Sequence, residues 1–197
     1  MGYQRKRTFG RVLTVVAMCA ALLACGCSPR VTVFKHDEAD MGFYARVGIV
    51  PFRALAADRF AGEKFATDFN TALLAAELFE VVDYGIFVNA VRRVAGSSSP
   101  PDGLTADQFK AIGEAAGVEG IFVGTVSQYD MVSTSSGRFP AITVEVRFVD
   151  VATGTVVWSA TSAERGGPKT PIIGIGETHT LGALSQKMCR ELVARLK

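Results

Sequence analysis

Residues 141–160, AITVEVRFVDVATGTVVWSA, alternate apolar and polar side chains with a period of two. Ile142, Val144, Val146 and Phe148 fall on one side, and Thr143, Glu145 and Arg147 on the other. After the turn-forming stretch Asp150-Val151-Ala152-Thr153-Gly154, Val156, Trp158 and Ala160 alternate with Val157, Ser159 and Thr161. This pattern predicts an antiparallel hairpin with one buried face. A buried face needs a covering layer, so the rest of the chain must supply helices. Trp158 lies on the buried side and is read as core packing rather than ligand stacking.

The covering helices are visible. Phe65, Phe69, Ala72, Leu73 and Ala76 make one helical face within residues 62–78. Ile86, Phe87, Ala90, Val91 and Val94 make a second, stopped by Gly96. Thr105-x-x-Gln108 is a capping-box pattern opening a third, through Phe109, Ile112 and Ala116 to Gly117. Leu181, Leu184, Met188, Leu192 and Leu196 form one stripe of a C-terminal amphipathic helix. Between them, ARVGIVPF from residue 45, FEVVDY and VEGIFVGTVSQYD read as strands, the last apolar enough to be central. The order predicts an α/β (α+β) fold: a single domain with a mixed sheet and a β-hairpin, covered by helices. The stretches 96–103, 131–140 and 163–177 read as loops and, on that basis, as candidate contact surfaces.

The N-terminus carries a different signal. Arg5, Lys6, Arg7 and Arg11 precede the uncharged run VLTVVAMCAALLA, which is too short for a spanning helix of about 20 residues and fits a cleaved export leader. Leu22-Leu23-Ala24-Cys25 resembles the lipobox of bacterial lipoproteins, in which the cysteine becomes the lipid-modified N-terminus. Cys27, after Ala24-Cys25-Gly26, is the alternative; Leu at the third position before Cys25 favours Cys25. The four cysteines, Cys19, Cys25, Cys27 and Cys189, do not make a disulfide framework in a chain of 197 residues. The resemblance implies residues 1–24 as leader, 25–43 as a tether whose patch Val31-Thr32-Val33-Phe34 can dock as an edge strand, and 44–197 as the domain. Three acyl chains at about 0.8 kcal/mol per buried methylene would make anchoring permanent. Neither Gly26 nor Ser28 is the aspartate that resembles an inner-membrane retention signal, so the expected address is the periplasmic face of the outer membrane.

Charge narrows the partners. Removing the four basic leader residues takes the formal count from 21 positive and 19 negative to 17 and 19, so the sequence pI of 8.4 belongs to the leader. No basic stripe remains to bind nucleic acid.

Several segments carry a family resemblance. VGIVPF (47–52), LFEVVD (78–83), GVEGIFVGTVSQYD (117–130) and VRFVDVATGTVVWSA (146–160) resemble, in this order, segments of the group containing the curli-secretion CsgG family, the LpoB-type penicillin-binding-protein activators and the TolB N-terminal domain. These are strands and turns, so the resemblance implies a fold and not a site. The secretion channels of that group insert two membrane-spanning hairpins, each strand needing about 9–11 residues. The corresponding stretches here, 131–140 and 162–180, lack the length and the alternation. The resemblance therefore implies a lipid-anchored accessory or regulatory protein that contacts another envelope protein, with an oligomeric, CsgG-type secretion or flagellum-associated component as the alternative; self-assembly into a homo-oligomer stays open.

Catalytic chemistry finds little support. His36-Asp37-Glu38-x-Asp40 lies in the tether, where nothing fixes metal geometry. GIGETHTLG (174–182) lacks the third glycine of a dinucleotide loop. A serine hydrolase would have to use His179, and no Gly-x-Ser-x-Gly elbow accompanies it. The expectation is no enzyme, no metal and no cofactor.

Overall fold

The computed structural model describes residues 31–36, 40–96, 103–135, 137–167 and 178–197. Among them the chain forms four helices and a seven-stranded mixed sheet in one domain: β1 (Val31–Lys35), β2 (Arg46–Ile49), β3 (Arg53–Ala54), α1 (Ala61–Ala76), β4 (Glu80–Val81), α2 (Tyr84–Ala95), α3 (Ala106–Ala116), β5 (Gly120–Thr134), β6 (Gly137–Asp150), β7 (Val156–Arg165) and α4 (Leu181–Ala194). The predicted α/β class and mixed, helix-covered sheet are observed.

The sheet order is β1-β7-β6-β5-β2-β4, with β3 also beside β5. The β5–β6–β7 meander and β1 are antiparallel, whereas β2, β3 and β4 join in parallel. A parallel return needs a crossover, and the crossovers supply the helices. One sheet face buries Phe122, Val144, Val146, Phe148, Trp158 and Ala160 under α1 and α4, through Phe65, Phe69, Leu73, Leu184, Met188 and Leu192. Each of the Val, Leu, Met and Phe side chains among them contributes about 1.5–3 kcal/mol by leaving water. On the other face, Phe87, Val91, Phe109 and Ile112 of α2 and α3 cover Val50, Ile121, Val123 and Val149.

The helix ends follow the sequence signals. The Asp83 carboxylate accepts from Ile86 N at 3.0 Å. Thr105 and Gln108 close the reciprocal capping box. Thr180 Oγ1 accepts from Ala183 N at 3.2 Å. Gly96 ends α2 with a φ of 79°.

Two expectations change. Residues 131–140 are not a loop: Met131 pairs with Pro140 and Thr134 with Gly137, so β5 and β6 continue as a two-stranded ribbon. Residues 163–165 likewise belong to β7 rather than to the following loop. In the stretch read as tether, the apolar patch does dock as an edge strand, and Met41 is buried in the core beyond it. Cys25, Cys27 and the leader lie outside the described residues, as do 97–102 and 168–177 of the proposed contact loops.

Candidate functional site

A sheet whose two faces are covered unequally leaves a surface. Directly opposed residues point to the same side of a sheet. Phe34 stands opposite Ser159, Ser159 opposite Arg147, and Arg147 opposite Val123. Val123 lies beneath α2 and α3, but those helices stop there. Across β6, β7 and β1 the same face presents Thr143, Glu145, Arg147, Ser159, Thr161, Thr32 and Phe34, all exposed or half-exposed. Most are hydroxyls and charges, with Arg147 Nε 3.7 Å from Glu145 Oε1. Phe34 is the exception, 53% exposed.

The margin of this face is β1. His36 N donates to Val157 O, so by the alternation of antiparallel pairs Phe34 and Thr32 bond inward to β7. Val33 and Lys35 then turn their peptide N–H and C=O groups outward, and no strand among the described residues pairs with them. An unpaired edge beside an exposed aromatic is a ready template for another chain. Phe43, 78% exposed, lies close by on the turn that follows.

Between that turn and the β6–β7 connection runs a groove of ≈ 460 Å³ lined by His36, Asp40, Phe43, Tyr44, Asp150 and Thr155 among others. Its wall is rigid. Tyr44 OH donates to Asp150 Oδ2 at 3.1 Å, and Asp150 Oδ1 accepts from Thr153 N at 2.8 Å and Oγ1 at 2.7 Å. The Tyr44 ring sits edge-on to Phe148 with centroids 4.8 Å apart. Burial, reinforced by the Asp150 carboxylate, pushes the Tyr44 hydroxyl up to about 12, which keeps it a neutral donor. The groove is thus a fixed shape made by the clamp that holds residues 40–44 on the sheet.

The residues singled out for chemistry do not converge. Among the described residues no group of three or more His, Cys, Asp or Glu is arranged to hold a metal ion. Of the acidic run only His36 and Asp40 are described, both beside the groove. His179 lies against the Phe139 ring, centroids 6.1 Å apart, and the glycines of 174–176 fall outside the described residues. Cys189 is buried, and burial pushes its thiol far up, so it is inert. Trp158 is fully buried, as expected of a packing residue. No helix among the described residues is long and apolar enough to cross a membrane. The exposure of Phe34 and Phe43 had no sequence signal beyond the apolar patch, because their neighbours are set by strand order.

No protein-family model and no curated protein matches the chain. Solved structures do. A PelC dodecamer from Paraburkholderia phytofirmans is 16% identical, with a TM-score of 0.56 over 86% of this chain and 97% of that one. Lipoprotein GNA1162 from Neisseria meningitidis is 17% identical, with a TM-score of 0.54 over 76% and 99%. The hypothetical protein CT253 from Chlamydia trachomatis is 12% identical, with a TM-score of 0.52 over 77% and 95%. At these identities the likeness is one of fold. The fold is one that a bacterial lipoprotein adopts from end to end.

Proposed function

We propose that this protein is a non-enzymatic envelope protein, anchored through an acylated Cys25, with Cys27 as the alternative, at the periplasmic face of the outer membrane. It acts as an accessory or assembly factor through protein–protein contacts. The observation that carries this reading is the β1 margin: an open edge at Val33 and Lys35, the exposed rings of Phe34 and Phe43, and a polar face with a fixed groove beside it. Such a surface suits strand pairing and side-chain packing by another chain. The lipobox supports the anchor, and the likeness to a lipoprotein fold over 76% of this chain supports the export route.

A second reading makes the protein an oligomeric component of an export complex. The fold match to a PelC dodecamer favours it, as does an edge that could receive a second copy of this chain. Extraction of the native protein in mild detergent, followed by mass measurement in solution, separates the two. A discrete high-order assembly of this chain alone supports the second reading, and a monomer or dimer bound to a different envelope protein supports the first. Saturable catalytic turnover lost in His179→Ala would overturn both.

A further inference from the structure

The strand register fixes where the anchor leaves the domain. Val31 stands opposite Ser162, Ser162 opposite Val144, Val144 opposite Val126, and Val126 beside Ala54. These residues form one row across β1, β7, β6, β5 and β3. Beyond that row β1 and β3 are finished, β7 runs only to Arg165, Gly166 N still donates to Pro140 O, and His179 lies against Phe139; past these contacts β5 and β6 pair only with each other to their turn. From Val144 back to Gly137 the ribbon rises over seven residues, roughly 23 Å at about 3.3 Å each. β1 begins at Val31, on the side of the sheet from which the ribbon rises.

The leash is no longer than the ribbon. Val31 is six residues from Cys25 and four from Cys27, spans of at most about 22 Å and about 14 Å when fully extended. Because residues 31–35 are held in the sheet, the stretch 25–43 cannot pay out as a free tether. When the strands stand along the membrane normal, the ribbon tip reaches the level of the acylated cysteine. The side chains there suit headgroups rather than hydrocarbon. Ser133 and Arg138 are exposed and paired across the ribbon, and Arg165 is exposed where β7 ends. Guanidinium groups pair with lipid phosphates in two parallel hydrogen bonds.

We propose that the β5–β6 ribbon is a foot whose tip rests in the phospholipid headgroup layer, setting the domain upright on the membrane that holds its acyl chains. This rests on the lipid-anchor reading. It places β1 and β4 at the sides of the molecule, so that contacts made along the β1 edge spread in the plane of the membrane.

The test uses the full-length acylated protein in vesicles of phosphatidylethanolamine and phosphatidylglycerol, with the unmodified member of the Cys25 and Cys27 pair replaced by Ser; buried Cys189 does not react. A fluorophore is placed at Ser133→Cys, on the tip, or at Ala152→Cys, at the opposite end. Intact mass and flotation report acylation independently. The expected result is strong quenching by headgroup-labelled lipid at residue 133 and none at 152. That quenching should fall severalfold when a long Gly/Ser segment is inserted between Ser28 and Val31, and should weaken in Arg138→Glu. An acylated, floating protein whose residue 133 is unquenched, or is quenched no more than 152, overturns the foot and leaves the anchor standing. A mature chain without acyl groups overturns the anchor, and the foot with it. A tip quenched only after a partner protein is added would make it a protein contact and overturn the lipid assignment.

Discussion

Trp158 Nε1 donates to the carbonyl oxygen of Arg195 at 3.3 Å, joining the turn end of the β6–β7 hairpin to the end of α4. The indole is fully buried, so it fills the space between sheet and helix and supplies one of the donors that the helix end lacks. Trp158→Ala is expected to destabilise by about 3–5 kcal/mol through the void it leaves. Trp158→Phe keeps much of the volume but strips the Arg195 carbonyl of its donor, at about 1–3 kcal/mol. Urea unfolding followed by far-ultraviolet dichroism measures both, and a Trp158→Phe variant as stable as the wild type would show that the hydrogen bond contributes nothing.

Two glycines predict opposite outcomes. A Cβ on Gly62 would meet Phe52 O at 1.9 Å, a backbone atom of the segment that α1 packs against. Gly62→Ala should therefore destabilise by about 1–3 kcal/mol or more. A Cβ on Gly182, near the start of α4, meets nothing within 4 Å. Gly182→Ala should stabilise by about 0.4–1 kcal/mol, because the unfolded chain loses freedom and the helix gains a better former. Thermal unfolding of the two variants beside the wild type checks the sign of each.

Lys187 bridges Glu164 on β7 and Glu191 one turn along α4, 2.5 Å and 3.4 Å away. Burial, then the neighbouring Glu164 carboxyl, holds Glu191 above the usual carboxylate range, against a smaller pull from Lys187. The folded protein thus keeps a proton at Glu191 that the unfolded chain has already released. That contribution is present below the ordinary value of about 4.3 and is lost as pH rises through the higher folded value. Glu191→Gln should flatten stability against pH between those two values and raise stability at neutral pH by a few tenths to about 1 kcal/mol, given the site's partial exposure. A chemical-denaturation series from pH 4 to 8 reads the slope, and an unchanged slope would remove Glu191 as its source.

At the β1 margin, Val33→Pro removes a peptide N–H that faces away from β7, so the strand should stay paired while its outer edge is blocked. Phe34→Ser removes the exposed ring beside it. Neither is expected to change stability by more than about 1 kcal/mol, a surface-sized effect. Both should reduce association in detergent, whether with copies of this chain or with a second protein. Sedimentation profiles identical to wild type would place the interface elsewhere.

What the sequence made legible follows from burial. The β6–β7 hairpin declared itself because Val144, Val146, Phe148 and Trp158 all press on one core while their neighbours face water. Residues 131–140 concealed their strand character for the opposite reason. The ribbon extends past β7, so much of it is near solvent on both sides, and Ser133, Thr134 and Gly137 read as turn chemistry. β3 is two residues long and held by pairing with Thr125 and Val126, which no local pattern announces. Phe34 looks like a core residue in a string of letters; the position of β1 at the end of the sheet order leaves its ring exposed. The clamp between Tyr44 and Asp150 spans 106 positions and was invisible for the same reason.

The attachment of lipid to the mature N-terminus is the claim on which the placement of every surface depends. Cells expressing the wild type, Cys25→Ala, Cys27→Ala or the double variant are fed a labelled fatty acid, and the purified chains are weighed intact. The account predicts label and acyl mass on the wild type and Cys27→Ala, and their loss in Cys25→Ala and the double variant; loss in Cys27→Ala alone would move the anchor by two residues. Label persisting in the double variant, or a wild type that is freely soluble with an unmodified terminus, would contradict it.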